Sequence, residues 1–464
     1  MWTTPSMRIV RVASIMETAE SSPIPVLAVT VAVGAVVLLI SLICNLVSKQ
    51  GSKEDSVKSE VVNDQAELSN GKQHESKKRD RVAGKGKRDA GKDTFTHPWL
   101  ASSLKGHSDT ILGMDLSPND KYLASCSGDR SILLWNVKEF EKKEHKSVRA
   151  NVELDHATQV KFSPDSRAFI TSISTGNTVR IFKIGKKADG SMGNINADPE
   201  MDFPKKHKAE ITHIGIACTG KFIMTASLDT IINIWDLKGQ LLTTLDTQQV
   251  QNFYSAVSPC GRFVATSGFT PDVKVWEVVF SKTGDFTEAR QAFQLTGHTS
   301  GVYSFAFNND STRMASVSKD GTWKLWNTNV EYKMNQDAKL MKTGQCPGPG
   351  QSRIALSPDG RTIALATDRD VYVYIGATAQ EEARMLNVHE APIRELMFNQ
   401  MGNFLISAGG RHMRVFHNVV GYKAAITDLR ERVRTAKTDS LRQRLQEQVA
   451  ETEKRLKEIL GRTK

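Results

Sequence analysis

Residues 106–135 read GHSDTILGMDLSPNDKYLASCSGDRSILLW, and their order decides the fold. A Gly-His pair opens the stretch. An apolar strand follows, then the turn Ser117-Pro118-Asn119-Asp120, a second strand ending in small residues, a Gly-Asp-Arg turn, and a strand closing on Trp135. Pro and small polar residues stand where a hairpin must reverse, and β-branched and aromatic residues stand where a strand must be buried. The pattern is too short to bury its own faces, so it calls for neighbours of the same kind.

Those neighbours exist. Taking the residue after each first turn sets Lys121, Arg167, Lys221, Arg262, Thr312, Arg361 and Asn403 in register, with steps of 46, 54, 41, 50, 49 and 42 residues. The turns Ser163-Pro164-Asp165-Ser166, Ser258-Pro259-Cys260-Gly261 and Ser357-Pro358-Asp359-Gly360 repeat the first, and IINIW (231–235), VKVW (273–276) and TWKLW (322–326) repeat its last strand. Seven copies at that period predict an all-β, seven-bladed propeller over 95–418. The stretch Trp99 to Leu104 precedes the first Gly-His and is expected to close the ring as the outer strand of the last blade, beside Met413 to His417.

The Gly-His, Asp-x5-Trp and Trp-Asp elements resemble the WD-repeat family. Three sets are complete: His107, Ser125, Asp129 and Trp135; His207, Thr225, Asp229 and Trp235; His298, Ser316, Asp320 and Trp326. The resemblance implies that each is a hydrogen-bonded network inside one blade, which leaves its buried polar groups satisfied. His, Ser and Asp also suggest a hydrolase, but a catalytic set is needed once and a blade-holding set in every blade. The other blades depart, with Gly176, Thr270 and Gly410 in the Asp position and Asp368 alone before Tyr374, so packing is expected to hold them. No Gly-rich phosphate loop, His-Glu-x-x-His or Cys-His motif is found, so neither an enzyme nor a cofactor is expected. The five cysteines stand singly, without the spacing of a zinc site or a disulfide framework.

Longer strings, ANVELDHATQVKFSPDSRAFI (150–170), KFIMTASLDT (221–230), FTPDVKVWEV (269–278) and MASVSKDGTWKLW (314–326), look like one membrane-anchored branch of the WD-repeat family. That resemblance implies a single-pass anchor in the endoplasmic reticulum membrane with the propeller in the cytosol. It also implies a scaffold that binds protein partners, among them a phosphorylated endoplasmic reticulum stress kinase of the unfolded protein response, with a role in translation under stress.

Outside the repeats the chain changes character. After a short segment at 1–25, residues 26–47 carry no charge and are long enough to cross about 30 Å of hydrocarbon as a helix. Lys49, Lys53 and Lys58 after the span, against Arg8 and Arg11 diluted by Glu17 and Glu20 before it, favour a cytosolic C-terminus. Residues 48–94 are polar and charged, and Lys72 to Lys92 holds a good share of the net charge of +11. They read as a disordered basic tether, suited to anionic lipid, to RNA or to plain spacing. At 421–464 two apolar series, Ile426, Leu429, Val433, Ala436 and then Leu441, Leu445, Val449, Thr452, Leu456, Ile459, predict two helices. These form either a hairpin on the propeller or a coiled coil with a partner or second copy. Asp439 is expected to cap the second helix, and Glu451–Arg455 and Glu453–Lys457 to pair along it.

One position invites attention. The residue after the Asp turn is Arg130, Arg369 or Arg411 in blades one, six and seven, which become neighbours when the ring closes. Three guanidinium groups on one rim would suit a phosphorylated or acidic segment of a partner. The opposite face carries the longer insertions 137–149, 185–205 and 279–292.

Overall fold

The computed structural model describes residues 95–187, 192–198, 201–348 and 350–461. The span expected at 26–47, the segment before it and the basic tether lie outside the described residues. Among the described residues no helix is long and apolar enough to cross a membrane.

Seven antiparallel sheets of four strands make the ring. Blade 1 runs Ile111–Leu116, Tyr122–Ser127, Ser131–Asn136 and Ser147–Asn151, from the channel outward. Blades 2 to 6 follow in the same order over 157–198, 211–246, 252–296, 302–345 and 352–385. Blade 7 takes its inner three strands, Ile393–Phe398, Phe404–Gly409 and His412–His417, from the end of the repeats and its outer strand, Leu100–Lys105, from the start. Ser103 pairs with Arg414 and Leu104 with Met413, so the ring closes through the expected strand and the third strand of blade 7 is not left as an open edge.

Apolar residues of adjacent blades meet between the sheets. Leu104, Leu123, Trp135, Ile406 and Val415 belong to one cluster joining blades 7 and 1, and Ala315, Trp323, Leu325, Ile363 and Tyr372 to one joining blades 5 and 6. Inter-blade packing of this kind supplies most of the stability of a repeat ring, because no blade can bury both faces alone.

The insertions differ from the expectation. Much of 279–292 and part of 185–205 is strand: Thr178–Lys186 pairs with Met192–Asp198, and Asp272–Phe280 with Phe286–Thr296. The ladders of blades 2 and 4 simply run on past the length of their neighbours, and the backbone is satisfied inside the hairpin rather than by solvent.

The tail is a hairpin of α1 (Val419–Thr435) and α2 (Asp439–Gly461). Asn418 caps α1 by accepting from Gly421 N at 2.9 Å. Buried Val419, Val420 and Ile426 of α1 and Leu445 and Ile459 of α2 are its apolar stripe. Charges tie it down: Asp428 to Arg361 of blade 6 at 2.7 Å, Arg455 to Glu141 of blade 1 at 3.2 Å, and Arg430 to Glu453 across the hairpin at 2.7 Å. Asp439 is the first residue of α2, paired with Arg442, and is not its cap. Glu453 reaches across the hairpin to Arg430 rather than along the helix to Lys457, and Arg455 pairs with Glu141 of the propeller and with Glu458 of its own helix at 3.5 Å rather than with Glu451.

Candidate functional site

His107, His207 and His298 lie just before the inner strands, and Asp129, Asp229 and Asp320 in the turns between second and third strands. In blade 1 the two come together. Trp135 Nε1 donates to Ser125 Oγ at 3.0 Å. The indole nitrogen can only donate, so the Ser125 proton goes to His107 Nε2, 2.8 Å away, and His107 Nδ1 donates to Asp129 Oδ2 at 3.1 Å. Blade 5 repeats the chain through Trp326, Ser316, His298 and Asp320 at 2.8, 2.8 and 2.9 Å. Each Asp also accepts the backbone N–H of the neighbouring loop, at Ser108 and Thr299. Both loops of one face are therefore pinned to one another, and that face is called the upper face below.

Blade 3 is built differently from the expectation. Trp235 donates to Thr225 and Thr225 meets His207 Nε2 at 2.8 and 2.6 Å, but His207 Nδ1 donates to Ser227 Oγ at 2.9 Å. Ser227 in turn donates to Asp229 Oδ1. The extra hydroxyl takes the place at Nδ1, so Asp229 does not touch the histidine.

Nor are the remaining blades held by packing alone. His389 Nε2 meets Ser407 Oγ at 2.8 Å in blade 7, where Phe416 pairs opposite Leu405 as Trp135 does opposite Leu123. Blade 2 joins Thr158 to Ser172 at 2.7 Å, blade 6 joins Ser352 to Thr367 at 3.2 Å, and blade 4 joins Thr247 to Asn252 at 2.8 Å. Hydroxyl pairs repeat too weakly in sequence to be singled out, yet each satisfies groups that burial would otherwise penalise. Asp368 takes no part: it sits exposed at a turn tip at φ 51°, 3.4 Å from Arg369.

Electrostatics follow geometry. Burial works against the charge of Asp129 and Asp320, but hydrogen bonds from Ser131 and Thr322, from loop amides and from the histidines hold both carboxyls down at about 2. Burial lowers His107 and His298 and brings His207 to about 4, so the rings are neutral, as the hydrogen-bond chains require. Ser125, Thr225 and Ser316 are fully buried. A nucleophile must reach its substrate, and these hydroxyls serve as relay atoms between indole and imidazole.

Arg130, Arg369 and Arg411 stand exposed on the upper-face turns of blades 1, 6 and 7. Sequence reasoning missed the apolar side chains exposed on the same face. Leu154 is 97% exposed, Val250 73% and Phe269 59%, all on upper-face loops of blades 2 to 4. Leu154 and Val250 hold φ of 62° and 64°, which is costly for a leucine and more so for a β-branched valine. Exposed apolar side chains and exposed arginines share the upper face: Leu154 stands in the loop whose Val152 N–H donates to Arg130 O at 2.9 Å, and Leu386, 53% exposed, in the loop whose Val388 N–H donates to Arg369 O at 2.8 Å.

At the centre of the face opens the channel, whose upper mouth has a volume of about 650 Å³. Six inner strands shift register one residue in from their start, at Leu112, Thr158, Thr212, Phe253, Tyr303 and Arg394. Such a bulge re-aims a side chain, and five of these six residues, all but Tyr303, line the mouth. Deeper, Gln159, His213 and Glu395 line both this cavity and one of about 400 Å³ that opens below, and so form its neck. Lys161 Nζ meets Asp115 Oδ1 at 2.9 Å beneath them. Among the described residues no cluster of His, Cys, Asp and Glu is placed to hold a metal ion.

The WD domain, G-beta repeat model matches residues 99–136, 201–236 and 289–327, the three stretches that end just after Trp135, Trp235 and Trp326. Over 368 residues the chain is 53% identical to transducin beta-like protein 2 of Homo sapiens, covering 79% of this chain and 82% of that protein. The chain belongs to the transducin beta-like protein 2 family. The Mus musculus member is 52% identical over the same share of this chain. A more distant likeness, 23% identity over 68% of this chain but 30% of the other, is to apoptotic protease-activating factor 1 of Rattus norvegicus. The matched repeats are the blades of this chain with a Trp-to-His relay; the four unmatched ones keep the blade without the tryptophan end of that relay.

Proposed function

We propose that this chain is a non-enzymatic scaffold that docks protein partners on the upper face of its propeller. The observation that carries the reading is the exposure of Leu154, Val250 and Phe269 on that face, two of them at strained backbone positions. Exposed apolar side chains held at a conformational cost fit a surface that a partner covers.

The finer reading is of an anchor in the endoplasmic reticulum membrane through 26–47, a propeller in the cytosol, and a phosphorylated stress kinase of the unfolded protein response among the partners. It draws support from the family, from the uncharged span and the lysines after it, and from Arg130, Arg369 and Arg411, whose forked donors suit phosphate. The basic run Lys72 to Lys92 favours a second reading, an RNA-binding adaptor.

The test uses the full chain. The triple change Arg130→Glu, Arg369→Glu and Arg411→Glu is expected to abolish retention of the phosphorylated kinase without altering RNA retention, and deletion of 71–92 to do the reverse. Kinase binding unaffected by the triple change contradicts the rim assignment, and protease cleavage of the propeller only after the membrane is permeabilised contradicts the orientation.

A further inference from the structure

The neck of the channel holds polar groups that the fold itself does not use. His213 is 7% exposed, and neither ring nitrogen has a hydrogen-bond partner among the described residues. Its ring packs edge-on to Tyr254 with centroids 4.5 Å apart. Arg353 lies over the same tyrosine at 5.6 Å, and its Nε donates to Arg394 O at 2.9 Å. Those two contacts fix the guanidinium plane and leave the buried Nη1 without a partner among the described residues. Both side chains line the upper cavity.

A buried donor left unmade costs about 1–3 kcal/mol, more when charged, so two such groups lining one opening mark a place where an acceptor belongs. Lys161 is already answered by Asp115. Arg353 is faced by Glu395, which burial pushes upward, away from the charged form, while Arg353 and Lys161 pull it back. The mouth therefore offers the guanidinium edge of Arg353 and the neck the imidazole of His213, beside one buried carboxyl, Glu395. A dianion would meet both Asp115 and Glu395. A single carboxylate matches the fork in shape and in charge.

We propose that the upper mouth of the channel is a socket for one carboxylate of a partner protein, gripped by Arg353 and His213 while Leu112 and Phe253 cover the adjoining apolar atoms. The inference rests on the docking reading above and adds the chemistry of its centre. Glutamate or aspartate side chains and a chain end both carry the group, and the mouth accepts either by the same contacts.

The experiment follows the imidazole signal of His213 in the full-length chain, labelled at histidine and identified through His213→Asn, as small probes are added at millimolar concentration. Nα-acetylglutamate N-methylamide is expected to shift that signal saturably, and its glutamine counterpart to leave it in place. N-acetylalanine, with its free chain end, distinguishes the sources: whichever carboxylate saturates at lower concentration is the one the partner presents. Arg353→Gln is expected to weaken the response about tenfold or more, and Arg353→Lys, which keeps the charge and loses the fork, to weaken it less. No shift with either carboxylate, an equal shift with the glutamine probe, or a response unchanged by Arg353→Gln overturns the socket. The glutamine comparison needs no variant, so a misfolded Arg353→Gln does not rescue the idea. A failed probe with partner contacts intact around Phe269 removes the socket alone, whereas loss of both removes the docking reading too.

Discussion

The upper and lower faces of the ring are finished in opposite ways. Below, the turns between first and second strands satisfy themselves. Ser117, Ser163, Ser258 and Ser357 each accept, through Oγ, the N–H of the residue five positions on, at 2.9, 3.0, 3.0 and 2.9 Å. Asn308 and Asn399 do the same through Oδ1. The helical hairpin then ties to lower loops, through Arg361 of blade 6 and Glu141 of blade 1. Above, the loops are pinned to each other by the His and Asp relays, and what they display is unsatisfied: exposed leucine, valine and phenylalanine, a row of arginines, and an open channel. Rigid support beneath unfinished surface is what a recognition face requires. The lower turns spend most of their polar side chains on their own amides, although Asp120 Oδ1 and Ser166 Oγ are buried there without a partner among the described residues.

That contrast can be broken first with acid. The upper relays need neutral histidines, and His207 titrates at about 4 in the folded chain against 6.5 unfolded. A base with a depressed folded value binds more protons when unfolded. Its contribution is therefore whole above pH 6.5 and lost as the pH falls toward 4, by on the order of 3 kcal/mol. Urea unfolding at a series of pH values should show this loss before the carboxyls of Asp129 and Asp320 protonate, since their contribution is retained until below pH 3.8. Stability unchanged between pH 6.5 and 4.5 contradicts the relay account.

Next in size is a change within blade 5. Ser316→Ala removes the atom that receives Trp326 and faces His298, orphaning two buried groups, and should cost about 2–3 kcal/mol by denaturant unfolding. On the lower face Ser357→Ala leaves the N–H of Thr362 unserved and should cost about 1 kcal/mol. Equal costs would erase the distinction between a relay and an isolated turn bond. Smallest is Arg455→Ala, which breaks a pair with Glu141 between partly exposed side chains and should change stability by no more than about 1 kcal/mol. A larger loss would mean that the hairpin is part of the fold's support.

Much of this was legible in the residues, for a physical reason. Strand alternation, Ser-Pro turns and the Gly-His to Trp spacing are local, and local chemistry repeats wherever a blade repeats. Ring closure through Leu100–Lys105 was legible as well, because an unpaired edge demands a partner. The Ser227 relay was not: a second hydroxyl two residues past Thr225 reads as ordinary small-residue strand. Nor was the channel mouth. Leu112, Thr158, Thr212, Phe253 and Arg394 share a position and no chemistry, and a register shift set by ring closure turns them inward. His213, Arg353 and Glu395 come from three blades, and nothing about any one of them announces the other two. The exposed apolar side chains were hidden too, since Leu154 and Val250 look like strand residues until their positive φ is seen.

Partner docking on the upper face is tested most directly by photo-crosslinking from the full-length chain in cells. One crosslinking side chain replaces Phe269 above, and another replaces Met401, 79% exposed in a lower turn. Discrete adducts from position 269 and none of comparable yield from 401 are the predicted result. Adducts formed equally from both positions, or from 401 alone, would contradict the account.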